Sequence, residues 1–159
     1  MTIDQLEEYG LRQMDDEEIQ AFLSEHSTGV LGLPTTDVPY LLPLSYGFDD
    51  GSCLYFTYLL GESSRKADLT EEAGRGRFLV YDIETAFEWQ SVMLTGDITS
   101  VPEEEWSDIG AIAQNAWRPN TLQTATTSGG VALYEFKITE LAGIQQTGLA
   151  PDFRENIEP

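Results

Sequence analysis

Four consecutive residues at the predicted start of a helix carry the side chains that a phosphate site needs: Ser63, Ser64, Arg65 and Lys66. Free backbone N–H groups and the helix dipole favour an anion there, hydroxyls can donate to it, and two cations neutralise a dianion. A P-loop's glycine-rich run and its final Gly-Lys-Ser/Thr are absent, so the pattern does not indicate a nucleotide triphosphate. The alternative is a capped surface helix whose cations pair with acids in its own turns. Those acids are Asp68, Glu71 and Glu72.

The charge of the whole chain makes this cluster unusual. The 159 residues include 28 acids and only 8 lysines and arginines, a formal net charge of −20. Half of those cations are Arg65, Lys66, Arg75 and Arg77. So acidic a chain argues against nucleic acid as a partner, because that would require an extended basic face. It is typical of proteins from salt-loving archaea, where salt screens self-repulsion, with an ordinary acidic cytoplasmic protein as the alternative.

Length and composition predict one domain over residues 1–147, followed by a loose C-terminal tail over 148–159. No apolar run approaches the roughly 20 residues that cross a bilayer, and the N-terminus is acidic where a secretory signal is basic. We therefore expect a soluble cytoplasmic protein with no membrane partner. The only cysteine, Cys53, has no disulfide or zinc partner and is predicted to pack in the core.

Six strands and three helices are predicted along the chain. The strands cover residues 30–33, 38–48, 53–59, 77–83, 88–101 and 131–141. The first helix begins at a capping box of Asp15 and Glu18 and ends near His26, which is expected to cap it. The second runs from Ser63 or Ser64 to Ala73, and the third covers 102–117. Many short consecutive strands favour an antiparallel barrel, a mainly β fold with flanking helices.

The second predicted strand has one bulky and one small face. Tyr40, Leu42 and Leu44 alternate with smaller residues that include Pro43 and Ser45. Successive side chains of a strand point to opposite faces, so the smaller face leaves room for a ligand.

The order of these motifs resembles the FMN-binding split barrels of the pyridoxamine 5′-phosphate oxidase family. The likeness lies in Leu42-Pro43-Leu44-Ser45, an Asp-Gly hairpin, Leu54-Tyr55-Phe56-Thr57, Gly61, Ser64-Arg65-Lys66-Ala67, and the strand from Glu88 to Gly96. It is clear over residues 14–100. The resemblance implies an antiparallel six-stranded split β-barrel that binds FMN.

The resemblance also implies roles for individual residues. Arg65 and Lys66, helped by Ser64, would hold the FMN phosphate. Phe56 and Thr57 would lie beside the ribityl chain and the ring. Facing the isoalloxazine through backbone groups would be Pro43, Leu44 and Ser45, while Gln90 or Ser91 would reach its polar edge. Without the resemblance, an equally good interpretation is that three of these residues are ordinary strand hydroxyls with no role in binding. They are Ser45, Thr57 and Ser91.

Family members place the cofactor at the interface of a homodimer, which implies that a second subunit contributes Trp117 or Arg118. The alternative is that Arg118 caps the preceding helix and packs on Trp117. The chain lacks a clear match to the C-terminal residues that bind pyridine phosphate in true pyridoxamine phosphate oxidases. It also has Thr57 where nitroimidazole-reductase-like relatives have histidine, and no C-terminal histidine for haem. No catalytic residue and no metal site are identified.

The leading hypothesis is an FMN-dependent oxidoreductase acting on an unknown small molecule, in which the flavin carries the electrons. One alternative is a flavin carrier or sensor without turnover, and another is a ligand barrel without flavin. A relative using the deazaflavin F420 is a further alternative. The acidic tail of F420 would require more positive charge than Arg65, Lys66, Arg75 and Arg77 direct at one groove.

Overall fold

A computed structural model describes residues 2–60, 65–113 and 130–148 of the chain. Its strands are β1 (Leu11–Gln13), β2 (Thr28–Leu33), β3 (Tyr40–Ser45), β4 (Gly47–Phe48), β5 (Cys53–Leu59), β6 (Arg75–Thr85), β7 (Glu88–Ser100) and β8 (Val131–Thr147). Its helices are α1 (Ile3–Glu7), α2 (Asp16–Glu25), α3 (Arg65–Ala73) and α4 (Trp106–Ala113), with a 3-10 turn over Glu103–Glu105.

All strands belong to one antiparallel sheet in the order β3-β2-β6-β7-β8-β5-β4, with β1 paired to β8. The two ends of this path, β3 and β4, are separated in sequence by Tyr46 alone. Because one residue joins them, the sheet has to curl until its ends meet. The result is a half-barrel with few helices, which confirms the predicted split-barrel fold class.

The predicted elements differ from the observed ones at several ends. The strand predicted over 38–48 divides at Tyr46, because its ring is buried and its hydroxyl donates to the Leu23 carbonyl at 2.8 Å. The short strand β1 was not predicted, and β8 continues to Thr147 because β7 pairs along that whole length. The predicted helix over 102–117 opens as a 3-10 turn and is described to Ala113. Its end, and tail residues 149–159, lie outside the described residues.

The barrel interior is filled by aromatic side chains from different strands. Phe56, Phe78 and Phe136 are each fully buried, and their ring centroids lie 4.9 to 6.3 Å apart. Aromatic side chains bury large apolar areas, so this cluster is a main source of the stability of the fold.

Helix α2 closes one side of the barrel. Its capping box of Asp15 and Glu18 is formed as predicted, and the ring of His26 caps its end, with Nδ1 2.8 Å from the Phe22 carbonyl oxygen. Gly143 of β8 permits the close approach of this helix, because a Cβ there would lie 2.9 Å from Cγ1 of Ile19.

A second, smaller cluster covers the outer side of β5. Cys53 and Tyr55 pack there with Val101 and Leu133, against Trp106 and other side chains of α4. Cys53 is buried and has a free thiol, so its predicted packing role is confirmed. No helix in the described part of the chain is long and apolar enough to cross a membrane.

Candidate functional site

The outward side of β3, β2, β6, β7 and β8 carries the candidate site. Residues directly opposite each other in an antiparallel pair point to the same face, so the strand register defines rows across the sheet. The first row is Leu41, Gly32, Arg77, Thr95 and Glu140, and the next is Pro43, Val30, Leu79, Met93 and Ala142. These rows bring together residues that are more than a hundred positions apart in the sequence.

A groove of about 860 Å³ runs over these rows, and we call it the outer groove. Its apolar lining includes Val30, Leu41, Leu79, Tyr81 and Met93. Several of these side chains are far more exposed than apolar residues usually are, with Leu41 at 66%, Tyr81 at 51% and Met93 at 43%. A groove of this size and character is suited to a flat organic ligand.

Besides two cations at the start of α3, two cations lie on the groove. Arg75 and Arg77 line it directly. The Arg65 guanidinium carbon lies 5.6 Å from the ring centroid of Tyr40, the residue before the groove-lining Leu41. The Lys66 ammonium lies 5.6 Å from the ring centroid of Tyr58.

None of these cations forms an ion pair within the described residues, where the salt bridges are Arg12–Glu18 and His26–Asp82. The ion pairs of Arg65 and Lys66 with Asp68, Glu71 and Glu72 that the alternative expected are therefore not formed among the described residues. In so acidic a chain, cations left without carboxylate partners are available to an anionic ligand.

A buried hydrogen-bond chain holds the start of α3 in place. The Thr70 hydroxyl donates to the Lys66 carbonyl at 2.6 Å and lies 2.9 Å from the Tyr58 hydroxyl. Because Thr70 has one hydroxyl proton, it accepts from Tyr58. Burial raises the pKa of Tyr58, which keeps that phenol protonated and able to donate. The barrel wall thus orients the helix turn that carries Arg65 and Lys66.

The three residues of the predicted site on β3 point alternately to the two faces of the strand. Pro43 and Ser45 are exposed on the outward face, while the Leu44 side chain turns inward against the core. Among the described strands β3 pairs only with β2, so half of its backbone groups face away from the sheet. This arrangement leaves main-chain groups of β3 available to a ligand, as the resemblance implied.

Phe56 and Thr57, which the resemblance places beside a ligand, lie on opposite faces of β5. Phe56 is fully buried in the barrel core, because the even-numbered residues of β5 point inward. Its neighbour Thr57 points to the other face, is 6% exposed, and its Oγ1 has no hydrogen-bond partner among the described residues. An unsatisfied buried hydroxyl is costly and requires an explanation. Thr57 therefore fits a ligand that supplies a polar atom at this position.

Gln90 and Ser91 point to opposite faces of β7. Ser91 is half-buried and pairs with Tyr81 on the outward face, whereas the Gln90 amide is hydrogen bonded to Gln145 at 3.1 Å. The Asp82–Gln90 pair is seven residues along β6 from the Arg75–Asp97 pair, a separation of roughly 23 Å. Within one chain, Gln90 is thus not brought next to the cations at the start of β6.

Three residues of the predicted site, Ser64, Trp117 and Arg118, lie outside the described residues. The groove-lining positions of β6 were not predicted as site residues, although Arg75 and Arg77 stood out as part of the basic cluster. The sequence pattern that could have identified them is the alternation of a strand, which places four residues on one face. These residues are Arg75, Arg77, Leu79 and Tyr81. Among the described residues no group of three or more His, Cys, Asp or Glu side chains could hold a metal ion.

Solved structures of several flavoproteins share this architecture. A FAD-binding protein from Mesorhizobium loti aligns with a TM-score of 0.68 and 18% identity over 86% of this chain and 97% of its own. The FAD and heme binding protein from Mycobacterium smegmatis gives a TM-score of 0.71 and 14% identity over 93% and 78%. The flavocytochrome Anf3 from Azotobacter vinelandii gives 0.68 and 17% over 94% and 76%. At such identities these likenesses show the fold.

The sequence comparison is more specific. No curated protein matches this sequence significantly. The family model described as pyridoxamine 5′-phosphate oxidase matches residues 15–145, which include every strand from β2 to β7 and most of β8. The chain belongs to the pyridoxamine 5′-phosphate oxidase family.

Proposed function

We propose that this protein is an FMN-dependent oxidoreductase that works as a homodimer. The observation that carries the proposal is the pair of cations at the start of α3, Arg65 and Lys66, which have no carboxylate partners among the described residues of a chain with a net charge of −20. Three solved structures with this fold are described as FAD-binding proteins or as a flavocytochrome, which supports a flavin as the ligand.

In this proposal Arg65 and Lys66 bind the phosphate, together with Ser64. Each charge-assisted hydrogen bond to phosphate contributes about 1.5–3 kcal/mol. The flavin ring lies along Pro43, Leu44 and Ser45, whose backbone groups face it.

Further contacts complete the proposed flavin site. The Thr57 hydroxyl, which lacks a partner among the described residues, gains one from the flavin. Gln90 or Ser91 reaches the polar edge of the ring.

Two observations support the proposed homodimer. The exposed apolar side chains of Ile83 and Phe87, which do not line the outer groove, give a second copy a surface to bury. Gln90 is also roughly 23 Å along the sheet from Arg75 of its own chain, which supports its contact with a flavin of the second copy. Trp117 or Arg118 of that copy completes the site. Substituting Ile83→Asp should shift the molar mass measured by light scattering from dimer to monomer, and an unchanged mass would contradict this interface.

When bound, the flavin accepts and donates the electrons of the reaction. The chain itself binds, orients and shields. Arg65 and Lys66 neutralise the phosphate, and apolar side chains at the edge of the adjoining outer groove limit the access of water to the ring. The only histidine, His26, is held at the end of α2 by the Phe22 carbonyl and supplies no acid or base to the groove.

The deciding experiment is a fluorescence titration with FMN. The double variant Arg65→Ala/Lys66→Ala should keep the circular dichroism spectrum of the fold and lose most of its FMN affinity. The control variant Lys137→Ala, which removes a cation from β8, should keep both the spectrum and the FMN affinity. Equal affinity of all proteins would overturn the phosphate assignment. Thr57→Val should also weaken FMN binding without destabilising the ligand-free protein, because it removes an unpartnered hydroxyl.

Turnover is tested separately from binding. Steady oxidation of a nicotinamide coenzyme by purified protein supports an enzyme, while a single bleaching of bound FMN supports a carrier or sensor. A colourless protein that takes up no FMN but binds F420 would assign the site to the deazaflavin instead.

We further propose that the protein is cytoplasmic and adapted to high salt. The free thiol of buried Cys53 is compatible with a reducing compartment, and the excess of acids requires screening. The thermal unfolding midpoint should therefore rise steeply with potassium chloride concentration. A midpoint that does not depend on salt would contradict the adaptation.

A further inference from the structure

The charge lining the outer groove has the opposite sign to the charge of the chain. Arg75, Arg77 and Glu140 are its charged lining residues, which give a local sum of +1 against −20 for the whole chain. Neither arginine makes an ion pair or a side-chain hydrogen bond within the described residues. Asp97 is the cross-strand neighbour of Arg75 and still forms no ion pair with it.

The shape beside Arg77 favours a flat ligand. Gly32 lies between Leu41 and Arg77 in the first row of the groove and adds no side chain to its floor. A Cβ at this position would touch only the Leu41 Cδ2 atom at 3.5 Å and the Arg77 carbonyl oxygen at 3.7 Å, so the space above Gly32 is open. The second row continues the floor with Leu79 and Met93. A guanidinium therefore lies at one side of an open apolar floor.

The groove also lies next to the proposed flavin site without coinciding with the phosphate site. Pro43, which is expected to face the flavin ring, belongs to the second row of the outer face. Arg75 and Arg77 follow the C-terminal end of α3, whereas Arg65 and Lys66 lie at its start. One helix thus separates two pairs of cations, and each pair can serve a different anion.

We propose that the outer groove binds the substrate, and that the substrate is a monoanion with a flat apolar body. Its carboxylate or sulfonate group binds Arg75 and Arg77, while its body lies over Leu79 and Met93, beside the flavin. The identification of this anion as a substrate rests on the proposed function, whereas the binding of the anion itself requires no flavin. Glu140 opposes a second negative charge and so limits the ligand to one.

The probe for the experiment is 1-anilinonaphthalene-8-sulfonate, an aromatic monoanion whose fluorescence rises in apolar sites. We expect Arg77→Gln to weaken its binding about tenfold and Arg75→Gln/Arg77→Gln to weaken it further, because each loses a charge-assisted contact. Glu140→Gln should strengthen binding. Lys137→Gln removes the same charge outside the groove and should change the affinity less than twofold.

A neutral probe with a similar body, N-phenyl-1-naphthylamine, separates charge from apolar contact. Its affinity should be unchanged in Arg77→Gln and reduced in Met93→Asp, which places a carboxylate on the apolar floor. Equal losses of the anionic probe in Arg77→Gln and Lys137→Gln would overturn the proposal, since only the overall charge would then matter.

FMN titration of the same variants keeps this proposal distinct from the function proposed above. Arg77→Gln should bind FMN as the unmodified protein does. If no protein of the series binds FMN while the anionic probe still depends on Arg77, the flavin assignment fails and the anion site stands. Displacement of the probe by FMN would show that the groove is occupied by FMN itself and would overturn the separate substrate site.

Discussion

The two faces of strands β6 and β7 differ sharply in burial, although alternating residues of the same two strands form both. On the inward face Phe78, Val80 and Leu94 are fully buried. On the outward face Tyr81, Ile83 and Met93 are between 43% and 64% exposed. Both faces are apolar, but only one has a core to pack against. Apolar side chains without a covering layer in the chain itself contribute to binding, whereas those inside the barrel contribute to folding.

The largest expected contrast is between a core ring and an outward side chain. Phe78→Ala should lower the free energy of unfolding by about 3–5 kcal/mol, because it leaves a cavity between Tyr46, Phe56 and Phe136. Met93→Ala, one strand away on the other face, should change it by less than about 0.5 kcal/mol. Urea unfolding of both variants measures the contrast, and similar losses would show that the outward face is covered by the protein's own structure.

Alanine substitution at two glycines, one on each face, tests how tightly each face is packed by adding a single methyl group. In Gly96→Ala the new Cβ would lie 2.5 Å from Cε1 of Phe136 and 2.7 Å from the Lys137 carbonyl oxygen, so we expect a loss of about 1–3 kcal/mol. Gly32→Ala meets only ordinary contacts on the outward face and should cost less than about 0.5 kcal/mol. Thermal unfolding midpoints compare the two. A larger loss for Gly32→Ala would reverse the assignment of the faces.

A smaller effect is expected where the inner wall holds the start of α3. Thr70→Val leaves the buried Tyr58 hydroxyl without its acceptor and should cost about 1–2 kcal/mol in unfolding free energy. Tyr58→Phe combined with Thr70→Val should cost less than the sum of the single changes, because neither group is then left unpaired. Strictly additive losses in urea unfolding would show that this hydrogen bond does not link the wall to the helix.

The smallest effect is expected at an exposed ion pair away from both faces. The Arg12 guanidinium lies 2.6 Å from the Glu18 carboxylate and lowers the pKa of that group from 4.5 to about 2. A lowered folded-state pKa contributes stability above the unfolded value, and that contribution is lost as pH falls through the folded value. The stability difference between the unmodified protein and Glu18→Gln should therefore be constant near neutrality and shrink between pH 4.5 and about 2.

Glutamine retains the acceptor of the capping box, so Glu18→Gln isolates the charge. Glu17→Gln is the control, since Glu17 forms no ion pair within the described residues. Denaturant midpoints measured across the acid range compare the variants. A shrinking difference for Glu17→Gln as well would attribute the effect to overall charge.

Much of the fold could be predicted from local patterns. The capping box of Asp15 and Glu18, the helical cap at His26 and the burial of Cys53 all depend on residues close in the chain or on simple hydrophobicity. The face on which Phe56 lies could not be predicted in the same way. Both sides of β5 are apolar, so its alternation carries no signal, and only the packing of α4 on one side distinguishes them.

The sequence by itself determined that the chain forms mainly consecutive strands, that α2 begins at a capping box and that half of the cations lie close to one helix. These features follow from backbone propensity and from the local arrangement of charge. Only the tertiary structure decided that Leu41, Arg77 and Glu140 share one row and enclose a groove. Strand order and register create such neighbours, and they depend on how the sheet curls around its core and not on sequence separation.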